Sequence, residues 1–238
     1  MSLSFQEISS LIHDHSPYEN FDATAYPCDP SGFILHESKL LDLAVSTAPD
    51  LMIEVGSWKG MSANCLASVA KSLDKPSGVI CVDTWLGARE FWASGQEKDG
   101  WWQGLVPTDH FRQADQHYKA LGLVNGYPSV YYHFLANMVH LENQDYVTPF
   151  PQTSVIAARW FKSHNVQADF VFIDGSHDQD DVFQDAKLYW DLVKPGGIMC
   201  GDDYWIDDVK KGVNVFAMKK NLEVESDYPY WIIRKPQD

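Results

Sequence analysis

Residues 168–204, ADFVFIDGSHDQDDVFQDAKLYWDLVKPGGIMCGDDY, decide the fold. Two short apolar runs, Ala168–Ile173 and Gly197–Cys200, are rich in Val, Phe and Ile, as expected of parallel strands buried on both faces. Between them Asp180–Val193 places Val182, Phe183, Ala186, Trp190 and Val193 on one stripe, with acids in its first turn and Pro195-Gly196-Gly197 as its stop, which predicts a helix. Both strands end in carboxylates. Paired about 4.8 Å apart, they would bring Asp174 and the Asp202-Asp203 pair together at their carboxyl ends, where open α/β sheets bind ligands. Three clustered carboxylates repel unless a cation or protons intervene. His177, three residues after Asp174, is the candidate general base, because an imidazole with a pKa near 6.5 suits removal of a hydroxyl proton near neutral pH. Asp178 is the reserve.

The same alternation extends outward. Strands are expected at Leu51–Val55, Val79–Asp83 and Tyr146–Phe150, and helices at Met61–Ser72, Tyr132–Leu141, Ser154–His164 and about 208–219. Leu222–Glu225 and Trp231–Arg234 flank Asp227–Pro229 as a hairpin, an antiparallel edge on a parallel sheet. The expected fold is therefore α/β: a Rossmann-like, doubly wound, seven-stranded, mostly parallel sheet. Residues 1–36 form an N-terminal helical arm or lid, with Leu3, Phe5, Ile8, Leu11 and Ile12 at helical spacing, and 37–238 form the catalytic domain. Residues 85–131 are too long for an ordinary βα connection and hold Trp85, Trp92, Trp101, Trp102 and Phe111; they are expected to form an aromatic lid, with Thr108 capping a helix that runs to Leu121.

A net charge of -15 over 238 residues argues against nucleic acid or anionic lipid as partner and suits a neutral or cationic small molecule. The four cysteines lack metal or redox spacing, and no apolar run approaches the roughly 20 residues of a membrane span, so a cytoplasmic protein is expected.

Glu54-Val-Gly56-Ser57-Trp-Lys-Gly60 follows the first strand and opens a helix. Its glycines let backbone amides approach a ligand, and Glu54 offers a carboxylate to an ammonium or hydroxyl; a tight turn for helix–strand packing explains the glycines equally well. Asp83 ends the next strand, where an acid typically binds the two hydroxyls of a ribose or else caps a helix. Tyr204 and Trp205 are placed either to wall an acceptor pocket or to pack.

Taken together, E-V-G-S-W-K-G-M-S, V-D-T-W-L-G, D-G-S-H-D and L-V-K-P-G-G-I-M-C-G-D-D-Y resemble the class I S-adenosylmethionine-dependent methyltransferases over roughly 50–215, in particular the metal-dependent small-molecule O-methyltransferases of the macrolide-sugar type. The resemblance implies that Glu54, Gly56, Ser57 and Gly60 hold the methionine part of S-adenosylmethionine, Asp83 the ribose, and Gln152 and Thr153 the adenine edge. It implies Mg²⁺ on Asp174, Asp202 and Asp203, an all-oxygen set that leaves coordination positions for water and substrate oxygens. The expected acceptor is a small-molecule hydroxyl, and a homo-oligomer is compatible. The rivals are a nicotinamide-dependent oxidoreductase, against which the absence of a G-x-G-x-x-G pattern speaks, and a non-catalytic cofactor-binding module. A third reading keeps the fold and the metal but assigns different chemistry, because some relatives that share the D-G-S-H stretch are described as hydroxylases.

Overall fold

The structure is a computed structural model and describes residues 3–30, 37–92 and 118–237. Five parallel strands form its centre: β1 (Leu51–Val55), β2 (Gly78–Asp83), β3 (Val147–Pro151), β4 (Ala168–Ile173) and β5 (Val193–Gly201). The antiparallel β7 (Tyr230–Arg234) pairs with β5, and β6 (Glu225–Asp227) closes that edge, giving the order β3-β2-β1-β4-β5-β7-β6. The chain leaves β1 toward β2 and β3, then returns to place β4 on the other flank of β1. That reversal opens a crevice beyond the carboxyl ends of β1 and β4, the position at which such sheets bind ligands.

All five residues of β1 are buried, so its alternation divides the core rather than separating core from solvent. Leu51, Ile53 and Val55 join the layer made with α1 (Phe5–Ile12), α5 (Ser154–Ser163), α6 (Gln179–Trp190) and α7 (Asp207–Lys220). Met52 faces the opposite layer, built with α2 (Glu37–Ser46), α3 (Met61–Ser72) and α4 (Val130–His140). Glu54 shares that parity, which puts a carboxylate where the pattern otherwise sets an apolar side chain.

Three boundaries differ from expectation by more than two residues. Strand β5 begins at Val193, four residues before Gly197, because Val193 pairs with Ala168 and a register shift then absorbs Lys194-Pro195-Gly196, where Pro195 has no N–H to donate. Helix α6 accordingly ends at Trp190, and Val193 is strand rather than helix. In the hairpin, Leu222 and Val224 lie outside the strand. Asn221 adopts φ 55° as the C-cap of α7 and the Leu222 amide returns to the Ala217 carbonyl at 2.9 Å, so these residues serve the helix exit and pairing starts at Glu225.

Helix α1 starts with a Ser4/Glu7 capping box and sets Phe5 and Ile8 into the core. Phe5 covers Gly78 of β2, where a Cβ would lie 2.5 Å from its ring, while Ser9 meets Thr148 of β3 at 2.6 Å. From the aromatic insertion, Trp85 is buried against Tyr131 and Phe134, and Trp58 meets Phe91 edge-on. Trp101, Trp102, Phe111 and the Thr108 cap lie outside the described residues. Among those described, no helix is long and apolar enough to cross a membrane.

Candidate active site

Two groups of sequence-expected residues meet at the crevice. The first is the loop after β1. Gly56 has φ 87°, its amide donates to the Val82 carbonyl at 2.9 Å, and a Cβ built on it would lie 2.1 Å from the Asp174 carbonyl oxygen. Glycine is therefore demanded twice, by conformation and by contact. Gly56→Ala is expected to cost about 2–4 kcal/mol, read as a lowered midpoint in chemical denaturation. Gly60, at φ 91°, is the N-cap of α3 and has no side chain to offer as a cap.

Asp83 holds this loop in shape. One oxygen accepts from the amides of Ser57 at 2.9 Å and Trp58 at 2.8 Å, and the other from the Trp85 amide at 2.7 Å. The Trp85 indole N–H donates to the Trp58 carbonyl at 2.8 Å, a further brace that the sequence pattern did not single out. Burial pushes the Asp83 pKa up, against the downward pull of these amides.

Glu54 is fully buried, and neither of its carboxylate oxygens has a hydrogen-bond partner of good geometry; the Ser57 hydroxyl is in the same position. Burial raises the Glu54 pKa, with Ser57, Ser62 and Cys81 pulling the other way. An unpaired buried carboxylate is costly and calls for a cationic or hydrogen-bond-donating ligand. Beyond β3, the Gln152 amide donates to the Asp83 carbonyl at 3.0 Å, and Thr153 caps α5 through the Ile156 amide. These two residues thus stand beside the end of β2 on the rim of the same crevice.

The second group follows β4 and β5. Asp174, His177 and Asp203 bring potential ligand atoms within 4.8 Å of one another, and His177 Nε2 lies 2.8 Å from Asp203 Oδ2. Asp203 takes up a left-handed conformation, φ 60°, which is uncommon for a residue with a Cβ, and its amide donates to Asp202 Oδ1 at 2.6 Å. Asp202 is only 6% exposed and lies next to this trio rather than within it. Burial is the largest cause raising the Asp174 pKa, followed by the charges of Asp202 and Asp203. Burial and then Asp203 push Asp202 up to about 7. The turn is braced from α6, where Asp181 accepts from the Ser176 hydroxyl at 2.8 Å. Asp178, the reserve base, pairs with Arg89 at 3.1 Å, so the start of the insertion reaches the mouth of this group.

The carboxylates and the imidazole were legible from the strand ends. The Asp29–Lys59 ion pair and the buried Asn137, which border the glycine loop, were not, since their partners are far apart in sequence and form no local motif.

Residues 53–204 match a family described as a methyltransferase domain. No curated protein matches the chain in sequence. Among solved structures, an O-methyltransferase from Bacillus cereus in complex with SAH is 15% identical, with 96% of this chain and 94% of that one covered at a TM-score of 0.54. The O-methyltransferase TomG from Streptomyces achromogenes, involved in tomaymycin synthesis and bound to SAM, is 12% identical over 97% and 94% of the two chains, at 0.57. The O-methyltransferase NovP is 15% identical over 85% and 78%, at 0.52. At these identities the likeness establishes the fold.

Proposed function

Since this chain belongs to the methyltransferase-domain family and has the fold of the class I S-adenosylmethionine-dependent methyltransferases, we propose that it transfers a methyl group from S-adenosylmethionine (SAM) to a hydroxyl of a small molecule, in the manner of the metal-dependent sugar and natural-product enzymes. The observation that carries this reading is the juxtaposition of an unpaired buried Glu54 with a carboxylate–imidazole group across one crevice.

The residues fit the cofactor. Glu54 suits the ammonium of a methionine moiety, the left-handed turns at Gly56 and Gly60 shape the loop beside it, and Ser57 adds a hydroxyl next to the carboxylate. Asp83 accepts the amides of Ser57, Trp58 and Trp85, with the Thr84 amide also against it, so a ribose hydroxyl would share one of these carboxylate oxygens with the loop. We assign the adenine edge to Gln152 and Thr153, a reading supported by the bond from the Gln152 amide to the Asp83 carbonyl.

The second group suits a hard divalent cation: Asp174 and Asp203 offer oxygens of the kind Mg²⁺ takes, and we assign Asp202, which lies beside that group, as the third carboxylate. Bound there, Mg²⁺ would supply Lewis-acid polarisation of an acceptor hydroxyl. His177 takes the proton. Asp203, 2.8 Å from His177 Nε2, orients the ring and would stabilise the imidazolium that forms. With SAM bound, the acceptor oxygen would give its proton to His177 and bond to the methyl in line with the methyl–sulfur bond, which breaks to release SAH as a neutral thioether, and the remaining task of the protein is alignment and exclusion of water.

Glu54 is a cleaner probe than Asp83, whose loss would also release three loop amides. Glu54→Gln should weaken binding of S-adenosylhomocysteine (SAH) by about 1.5–3 kcal/mol, the range for a hydrogen bond to a charged group, in isothermal calorimetry. Unchanged SAH affinity, or preferential binding of a nicotinamide dinucleotide, would remove the cofactor assignment.

A further inference from the structure

Lys59 is the one cation in the 54–60 loop, and its side chain is only 8% exposed. Its ammonium does not serve the crevice carboxylates. It donates to Asp29 Oδ2 of the N-terminal segment at 3.0 Å. The same junction is fastened by Asn137 of α4, which is fully buried. The Asn137 carbonyl accepts from the Asp29 amide at 2.8 Å, while its NH₂ donates to the Asp29 carbonyl at 2.9 Å and to the Lys59 carbonyl at 2.8 Å. One buried amide thus ties the N-terminal segment and the glycine loop together by their backbones, and an ion pair ties them by their side chains. The segment leading to Asp29 is held along α4 as well, with the His140 ring within 3.1 Å of the Ala23 and Tyr26 carbonyls and Tyr26 edge-on to His133.

We propose that Asp29, Lys59 and Asn137 form a clasp through which the N-terminal segment positions the cofactor loop, so that SAM binding and docking of this segment favour each other. The inference rests on the cofactor reading above. The physical reason is twofold. A buried ammonium without a counter-ion is strongly disfavoured, so loss of Asp29 leaves Lys59 either to reach solvent or to turn toward carboxylates in its own loop, and both move the backbone that carries Gly56 and Gly60. Coupling between two sites is also reciprocal: if the docked segment improves cofactor affinity, the cofactor must stabilise the docked segment by the same factor. Asp29, Lys59 and Asn137 are positioning residues in this account, since they act through the loop.

The full chain should be titrated with SAH by calorimetry, and amide hydrogen exchange of peptides spanning 18–30 and 54–62 followed with and without SAH. Asp29→Ala should weaken SAH on the order of 10-fold, Asp29→Glu should restore most of the affinity, and Lys59→Met combined with Asp29→Ala should be no worse than Asp29→Ala alone. In the intact chain, SAH should slow exchange in 18–30 as well as in 54–62, which a purely structural ion pair would not produce. If the intact chain binds SAH but Asp29→Ala binds it equally well and exchange in 18–30 ignores SAH, the clasp is refuted while the cofactor reading stands. Should Asp29→Ala fail to fold, the exchange of the intact chain and the affinity of Asp29→Asn decide the matter in the same way. Absence of SAH binding by the intact chain would refute the cofactor reading and the clasp with it.

Discussion

Replacing His177 with alanine should lower methyl-transfer turnover by about 10²- to 10⁴-fold, the usual contribution of a positioned general base, while SAH affinity stays within a factor of about two. The geometry explains the split. His177 lies 2.8 Å from Asp203, in the turn after β4, whereas the loop assigned to the cofactor is held from β2 by Asp83 and Trp85. Turnover of the intact enzyme should rise with pH through an ionisation that the variant lacks, because only neutral imidazole accepts a proton. Single-turnover rates as a function of pH check both points. A His177→Ala enzyme with near-normal turnover and the same pH profile would place the base elsewhere. Asp178, although tied to Arg89, would be the next residue to replace.

Chelation of divalent metal should abolish turnover, with recovery on adding Mg²⁺, and Asp202→Asn should weaken metal binding more than SAH binding. The electrostatics give this a pH signature. Asp202 has its pKa at about 7 in the folded protein against 3.8 as the ordinary value, and Asp174 is raised as well. A raised carboxyl pKa means that the associated stability is fully present below the unfolded pKa and is lost as pH rises through the folded one. The metal-free protein should therefore lose stability between about pH 4 and pH 7 from these groups. A cation binds the ionised carboxylates and must displace their protons at lower pH, so Mg²⁺ should raise the melting midpoint more at pH 8 than at pH 6. Thermal scans at the two pH values with and without Mg²⁺ test this. Full turnover after exhaustive chelation, or an Mg²⁺ effect independent of pH, would return the three acids to a purely structural role.

The parts of the molecule that could be read from sequence are those in which chemistry and periodicity coincide locally. Runs such as Phe170–Ile173 carry enough apolar residues to be buried on both faces whatever surrounds them, and an acid directly after such a run is projected to the strand end. The register of β5 was not readable in the same way. Its first residues pair across a bulge, and Lys194-Pro195-Gly196-Gly197 reads as a helix stop until Ala168 is seen to pair with Val193. Leu222 and Val224 resemble a strand, but the left-handed Asn221 turns the chain there to finish α7. In the site, Glu54 could be identified as a carboxylate on a strand but not as an unpaired one, because that depends on what Ser57, Ser62 and Cys81 do in three dimensions. Asp83 was expected to face a ribose; the task visible in the structure, fixing the Ser57 and Trp58 amides, follows from the left-handed turn at Trp58, which nothing in the local pattern specifies. Asn137 lies on an apolar helix and reads as an interruption until Asp29 and Lys59 arrive from either side of the sequence.

The central claim is that one crevice at the ends of β1, β2, β4 and β5 holds both methyl donor and cation, and crystals grown with SAH and Mg²⁺ test it most directly. The account predicts SAH along the Glu54–Gly60 loop, with its ammonium at Glu54 and its ribose at Asp83, and a cation touching Asp174, Asp202 and Asp203 with His177 at its side. Electron density that places SAH away from Glu54, or a cation bound elsewhere while these three carboxylates contact only protein, would contradict it.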